Sequence, residues 1–233
     1  MPDHKPAQHA TRRQVLAAGA APLAATLLPS CHRDGGSGVP RDRRTPAFFK
    51  VQEWAFLEAW VDVLIPADAD GPGAVEAGIV GFIDRQLAGP YGRGDFWYMA
   101  GPHFPDTPAT LGYQHPYTPA GLYRRAIATI DGLCRRRSSS GFAEWSTNDR
   151  RQLLLDVEGG RFVPADSTLP AFFELALRNS REGYFSDPIH GGNRGMLAWR
   201  MISFPGARAD FTDWMDQPGR RYPLGPVSID GRT

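Results

Sequence analysis

The chain is poor in cysteine. Only Cys31 and Cys134 occur in 233 residues, too few to ligate an iron–sulfur cluster alone. No Cys-x-x-Cys-His is present to attach a c-type haem. No Gly-x-Gly-x-x-Gly follows a strand-like run, so no dinucleotide fold is indicated. A phosphate-cradling Gly-x-x-x-x-Gly-Lys-Ser/Thr loop and a Gly-x-Ser-x-Gly elbow are missing too. Neither sign of charge dominates: 26 Lys and Arg face 25 Asp and Glu. That balance gives no reason to expect nucleic acid or an anionic membrane surface as partner. Of the six histidines, His4, His9 and His32 lie near the N-terminus. His103, His115 and His190 have no histidine three or four residues away, which excludes helical His–His metal pairs. Strand-like alternation and internal repeats are also lacking.

The N-terminus carries an address. Thr11-Arg12-Arg13-Gln14-Val15-Leu16 leads into an Ala/Leu-rich run ending at Leu28. The run is shorter than the ~20 apolar residues a membrane span needs, so it reads as a signal peptide. Arg12 and Arg13, set directly against the apolar run, resemble the twin-arginine export motif, with Val15 in place of the usual aromatic. Leu28-Pro29-Ser30-Cys31 resembles a lipobox, with Pro29 as a departure. Two outcomes stay open. If Cys31 is lipidated, Cys134 stands alone as a thiol. If it is not, the two cysteines could pair in an oxidising periplasm. Removing residues 1–30 takes away Lys5, Arg12, Arg13 and Asp3, which leaves the remainder near neutral. Residues 32–45, rich in Gly, Arg and Asp, read as a flexible tether.

From residue 46 the pattern is helical. Thr45-Pro46 has the form of a cap followed by a first-turn proline. Phe49, Trp54, Leu57, Trp60, Val61 and Leu64 then recur at helical spacing, and Pro66 stops the run at Ile65. Pro66–Gly73 holds Pro66, Pro72, Gly71 and Gly73 and is a loop. A second helix is expected over 74–87, ended by Gly89-Pro90. A third spans 119–137 and finishes in Arg135-Arg136-Arg137, charges that complement the helix dipole. Ser146 or Thr147 caps a short helix reaching Leu153–Val157, and a fifth covers 169–182 with Phe172, Phe173, Leu175 and Ala176 inside. The expected architecture is mostly α: one helical domain over 46–215 with long Gly-, Pro- and aromatic-rich loops, then an irregular tail over 216–233.

Candidates for chemistry are few. Asp68 and Asp70 look like the start of a calcium loop, but the later acidic ligand is not at the required distance, and turn-forming aspartates are the simpler reading. Residues 90–118 are irregular and hold Tyr91, Phe96, Trp97, Tyr98, Phe104, Tyr113 and Tyr117. Such a segment either packs on the domain or forms a docking surface. The densest unusual stretch runs from Glu182 to Asn193 and continues through Trp199–Gly206. Convergence of Asp187, His190 and Asn193 there would make a small-ligand or metal site, the alternative being a free-standing periplasmic lipoprotein. Asp187-Pro188 and Gly191-Gly192-Asn193 are also turn formers, which favours a structured loop.

Several pieces taken in order resemble a known family. They are Ile65-Pro66, Pro72-Gly73-Ala74, Ala77-Gly78-Ile79 with Phe82-Ile83-Asp84, Phe172-Phe173-Glu174-Leu175, Glu182-Gly183-Tyr184-Phe185 with Asp187-Pro188 and Gly191-Gly192-Asn193, and Trp199 with Ile202 and Phe204-Pro205-Gly206. Together they resemble the small subunit, subunit 3, of membrane-associated gluconate 2-dehydrogenase, over roughly residues 46–211. The likeness departs in the aromatic segment 90–118 and after Phe211. It implies a non-catalytic chain with no cofactor, metal or catalytic residue of its own. The implied partners are a large FAD-containing dehydrogenase subunit acting on a sugar, sugar acid or polyol, and a multihaem cytochrome c subunit. It also implies that the Arg12-Arg13 signal carries the folded flavoprotein through the twin-arginine translocase into the periplasm, making this chain an export chaperone. Because Tyr, Trp and Phe are enriched at buried contact centres, the expected partner interface comprises Phe96, Trp97, Tyr98, Tyr184, Phe185, Asp187, Asn193 and Trp199.

Overall fold

The computed structural model describes residues 46–232, apart from 106, 164 and 165. Arg12, Arg13, Cys31, the tether 32–45 and the expected cap Thr45 lie outside the described residues. The described part is mostly helical. Its α-helices are α1 (Val51–Leu64), α2 (Ile79–Ala88), α3 (Pro90–Arg93), α4 (Pro119–Ser138), α5 (Thr147–Glu158), α6 (Thr168–Phe185) and α7 (Leu197–Met201). Among the described residues no helix is long and apolar enough to cross a membrane.

Local chemistry sets several boundaries. The Thr118 side chain accepts the Gly121 N–H, and Pro119 occupies the first turn of α4. Ser146 Oγ accepts the Asp149 N–H at 3.2 Å and starts α5. Ile65, ahead of Pro66, closes α1 by donating its N–H to Val61 O at 2.9 Å. The start of α1 differs from expectation. Pro46 does not open the helix. Residues 46–50 form a non-helical lead-in whose Ala47, Phe48 and Phe49 N–H groups all donate to the Asp84 carboxylate on α2. Arg124 on α4 closes the same clamp, donating to Phe48 O at 2.7 Å and to both carboxylate oxygens of Glu53 at 2.8 Å. Its guanidinium lies 4.3 Å from the Phe48 ring centre.

Helix α2 also starts later than its apolar pattern suggests, at Ile79, because Gly78 is left-handed at φ 77° and ends the turns over 74–78. Helix α6 is the spine, packing against α1, α2, α4, α5 and α7. Trp60 from α1 sits at the centre of the core. Its ring meets Phe172 at 5.0 Å, Phe56 at 5.7 Å and Phe142 at 5.7 Å between centroids. These rings and Leu57, Ile83, Leu122, Ile130 and Leu169 are fully enclosed, and their burial supplies most of the driving force for folding. The tail over 216–232 is irregular, yet its end is tied back: Val227 pairs with Gly206 in an isolated parallel bridge.

Candidate functional site

The stretch singled out at 182–206 folds into a tight junction between the end of α6, α2 and the Pro66–Gly78 loop. Gly183 lies on the α6 face that meets α2. A Cβ there would stand 2.6 Å from the Phe82 ring. The chain then turns back on α6 so closely that a Cβ at Gly192 would be 2.1 Å from Gly183 O. Only glycine fits either position. Arg194 donates its N–H to Ala77 O at 3.0 Å, and its guanidinium covers Gly78. Tyr184 Oη donates to Pro72 O at 2.5 Å. Burial raises the Tyr184 hydroxyl pKa, helped by the nearby Asp68 and Glu76 charges. The pieces at Pro72, Ala77-Gly78, Phe82, Gly183-Tyr184 and Gly192 therefore form one contact region in space.

Several polar side chains of this region are bonded to main-chain atoms. Asn193 is fully buried and left-handed, at φ 42°, a conformation asparagine tolerates better than most residues. Its Nδ2 donates to Ser186 O at 3.0 Å and its Oδ1 accepts the Ala198 N–H at 2.9 Å. Asp187 accepts the Ile189 N–H at 3.0 Å on one oxygen and the Ile229 N–H at 2.8 Å on the other. Trp199 Nε1 donates to Phe185 O at 2.9 Å. His190 is exposed, and the side chains of Asp187 and Asn193 are both hydrogen-bonded to main-chain atoms. Among the described residues no group of three His, Cys, Asp or Glu side chains could hold a metal ion. Asp68 behaves as a turn former, its Oδ1 accepting from the Asp70 and Gly71 N–H groups.

Burial divides the eight expected interface residues. Tyr184, Asp187, Asn193 and Trp199 are buried within the chain and shape the surface from beneath. Phe185 is exposed beside them, as are Ile189, Ile202 and Phe204. In the other stretch, Phe96 is 78% and Tyr98 is 86% exposed, whereas Trp97 between them is half-buried. Trp97 packs on Tyr113 at 4.6 Å and Tyr91 at 5.9 Å. Tyr91 Oη donates to Asn179 Oδ1 at 2.9 Å, and Asn179 Nδ2 donates to the buried Tyr123 Oη at 3.0 Å. In segment 90–118 Tyr91, Trp97, Tyr113 and Tyr117 pack on the core, while Phe96, Tyr98, Phe104 and Leu111 are exposed.

Two features were not foreseen. A cleft of about 500 Å³ lies between the end of α4 and α5, lined by Arg137, Trp145, Gln152 and Phe162 among others. It takes no residue from the 182–206 junction. Two of its acids are engaged: Asp149 accepts from Ser146 Oγ at 2.6 Å, and Asp156 from Arg161 at 3.2 Å. Arg137, at the end of the basic run, stacks 4.8 Å over Phe162. The second feature is the Asp84 clamp, whose only sequence sign is an aspartate inside the apolar face of α2. Cys134 is buried, and burial pushes its thiol up to about 11, so it stays protonated at neutral pH.

The domain is helical, its distinctive Gly, Asn, Asp and Trp residues fasten its own backbone, and several aromatic side chains face outward. The chain belongs to the gluconate 2-dehydrogenase subunit 3 family, whose model matches residues 51–206. Searches of curated proteins and of solved structures return no match.

Proposed function

We propose that this chain is the non-catalytic small subunit of a periplasmic, membrane-associated dehydrogenase that oxidises a sugar or sugar acid of the gluconate type. The large subunit carries FAD, and a cytochrome subunit with several c-type haems takes the electrons. The small chain helps assemble the large one and takes it across the inner membrane by the twin-arginine route, with Arg12 and Arg13 as the signal. Flavin is inserted in the cytoplasm, and export in the folded state keeps it in place. Lipidation at Cys31, or the complex itself, holds the assembly at the membrane.

One observation carries the reading: the chain's family is that of a dehydrogenase subunit. The bonds of Asp187, Asn193 and Trp199 to main-chain atoms fit it. The exposed aromatics Phe96, Tyr98 and Phe185 support a docking role. The test is to produce the flavin subunit with and without this chain and to assay periplasmic dye reduction. The expected result is a cytoplasmic flavoprotein when this chain is missing, or when Arg12 and Arg13 are both replaced by Lys. Flavin absorbance and sugar oxidation by the purified chain alone, or normal export of the flavoprotein without it, would overturn the proposal.

A further inference from the structure

The cleft between the end of α4 and α5 has no part in the subunit reading. Helix α5 supplies one wall. Asp149, Gln152, Leu153 and Asp156 all line it, and their spacing of three and four residues puts them on one face of the helix. The end of α4 and the turn after it supply another. Ser139 is left-handed there at φ 60°, and the Ser138 and Ser140 hydroxyls on either side of it meet at 3.1 Å. Trp145 Nε1 donates to Ser138 Oγ at 2.8 Å, which holds the indole against this turn. Phe162 is buried, and the Arg137 guanidinium lies 4.8 Å over its ring, so the cation is held by stacking.

At about 500 Å³ the cleft falls within the ~300–1,000 Å³ range of small-molecule sites. Such sites are mostly apolar, whereas seven of the ten residues lining this one are polar or charged. That composition decides what fits. A phosphate or other compact anion would meet Glu144, Asp149 and Asp156 beside the single cation Arg137. Among the described residues no group of three His, Cys, Asp or Glu side chains could hold a metal ion. A compact organic cation would find Asp149 and Asp156 already bonded to Ser146 Oγ and Arg161, and would meet Arg137. What remains is a mixed set of donors and acceptors. Among the described residues neither Arg137 nor Glu144 makes a side-chain hydrogen bond or ion pair, and Gln152 uses only its Nε2, toward Asp156 at 3.3 Å. A hydroxyl donates and accepts at one atom, so a ligand with several adjacent hydroxyls satisfies such a set. The indole of Trp145 beside these groups suits the apolar C–H face of a sugar ring.

We propose that this cleft is a binding site for a sugar or sugar acid, recognised through adjacent hydroxyls by Glu144, Gln152 and Arg137, with its C–H face against Trp145. The site binds and does not turn over its ligand, so the inference goes beyond the subunit reading and does not depend on it. Stacking on Phe162 and the bond to Ser138 hold Arg137 and Trp145 in place before a ligand arrives, which lowers the ordering cost of binding.

The experiment is isothermal titration calorimetry of the purified full chain with glucose, gluconate and spermidine in separate runs. Saturable binding of glucose or gluconate is expected, with a Kd of about 1 mM or tighter. Binding of glucose, with or without gluconate, assigns recognition to the hydroxyls. Binding of gluconate alone adds Arg137 as the partner of its carboxylate. Either result supports the site. Glu144→Ala with Gln152→Ala is expected to weaken binding at least tenfold. Its melting temperature should match wild type, because both side chains are exposed. Glu158→Gln, at an exposed residue of α5 outside the cleft, is the control and is expected to bind as wild type. No saturation by either sugar, or undiminished binding by the double variant, would overturn the inference and leave the subunit reading standing. Spermidine binding that the double variant loses would make the cleft a cation site and would overturn it as well.

Discussion

The Asp84 carboxylate on α2 accepts the Phe49 N–H from 35 residues earlier at 2.9 Å, in a buried setting. The same carboxylate takes the Phe48 and Ala47 N–H groups, so one side chain fixes where the chain enters the domain. Replacing a buried acceptor costs the desolvation of each donor it leaves unmatched, about 1–3 kcal/mol apiece. Asp84→Ala is therefore expected to destabilise the domain by roughly 3–5 kcal/mol. Asp84→Asn keeps one acceptor oxygen and loses the charge, for about half that loss. Urea unfolding at neutral pH checks both. A loss below 1 kcal/mol in Asp84→Ala would mean that the lead-in is held by the Arg124 contacts instead.

Backbone contact at the α6 junction makes a sharper stability prediction. A Cβ at Gly192 would meet the Gly183 carbonyl, which cannot rotate aside, whereas Gly195 and Gly219 have nothing within 4 Å despite positive φ. Gly192→Ala is expected to cost more than about 3 kcal/mol through overpacking against backbone. Gly195→Ala and Gly219→Ala should lose only about 1 kcal/mol, from the left-handed conformation alone. Asn193→Ala, which abandons Ser186 O and the Ala198 N–H, should fall between these at about 2–3 kcal/mol. Thermal melts of the four variants give the order directly.

What the sequence made legible follows the range of the interactions. Helix α4 could be read within a residue because Thr118, Pro119 and the apolar spacing act locally, and Ser146 marked α5 for the same reason. The start of α1 could not be read, because the lead-in over 47–49 is held by Asp84 from another helix. Short α3 and α7 leave no sequence signal: neither has room for a helical period, and α7 is preceded by left-handed Asn193 and Met196. At the junction, Gly183, Gly192 and Asn193 stood out as unusual residues. Their purpose lies in atoms far along the chain, such as Phe82 for Gly183, so turn propensity alone could not separate fastening from chemistry.

The tyrosine network sets an alkaline limit. Burial raises Tyr91 to about 12, partly offset by its bond to Asn179, and burial also raises Tyr123 and Tyr113. In the unfolded chain these phenols ionise near pH 10. Between about pH 10 and 12 the unfolded state sheds phenol protons that the folded state keeps, so the contribution of these tyrosines to stability is full below pH 10 and declines above it, a decline that the raised Cys134 thiol begins nearer pH 9. Tyr91→Phe removes one of these groups and should flatten the decline. It also leaves Asn179 Oδ1 without its donor, at about 1–2 kcal/mol at pH 7. Unfolding followed from pH 7 to 11.5 tests both effects. A slope unchanged in Tyr91→Phe would assign the alkaline loss to the other raised groups, Tyr123, Tyr113, Tyr184 and Cys134.

Adjacent residues in the aromatic segment should separate binding from stability. Trp97 is wedged between Tyr91 and Tyr113, while Phe96 and Tyr98 on either side are almost wholly exposed. Trp97→Ala removes a packed indole and is expected to cost about 2–4 kcal/mol of domain stability. Phe96→Ser with Tyr98→Ser removes side chains that touch little in the isolated chain, so its melting temperature should stay within about 2 °C of wild type. If these two rings meet the dehydrogenase subunit, the double variant should bind it at least tenfold more weakly, the size of loss usual for aromatic anchors at a contact centre. Wild-type affinity in that variant would confine docking to the Phe185 side of the domain and leave 96–98 as a solvent-facing bend above the Tyr91–Asn179–Tyr123 network.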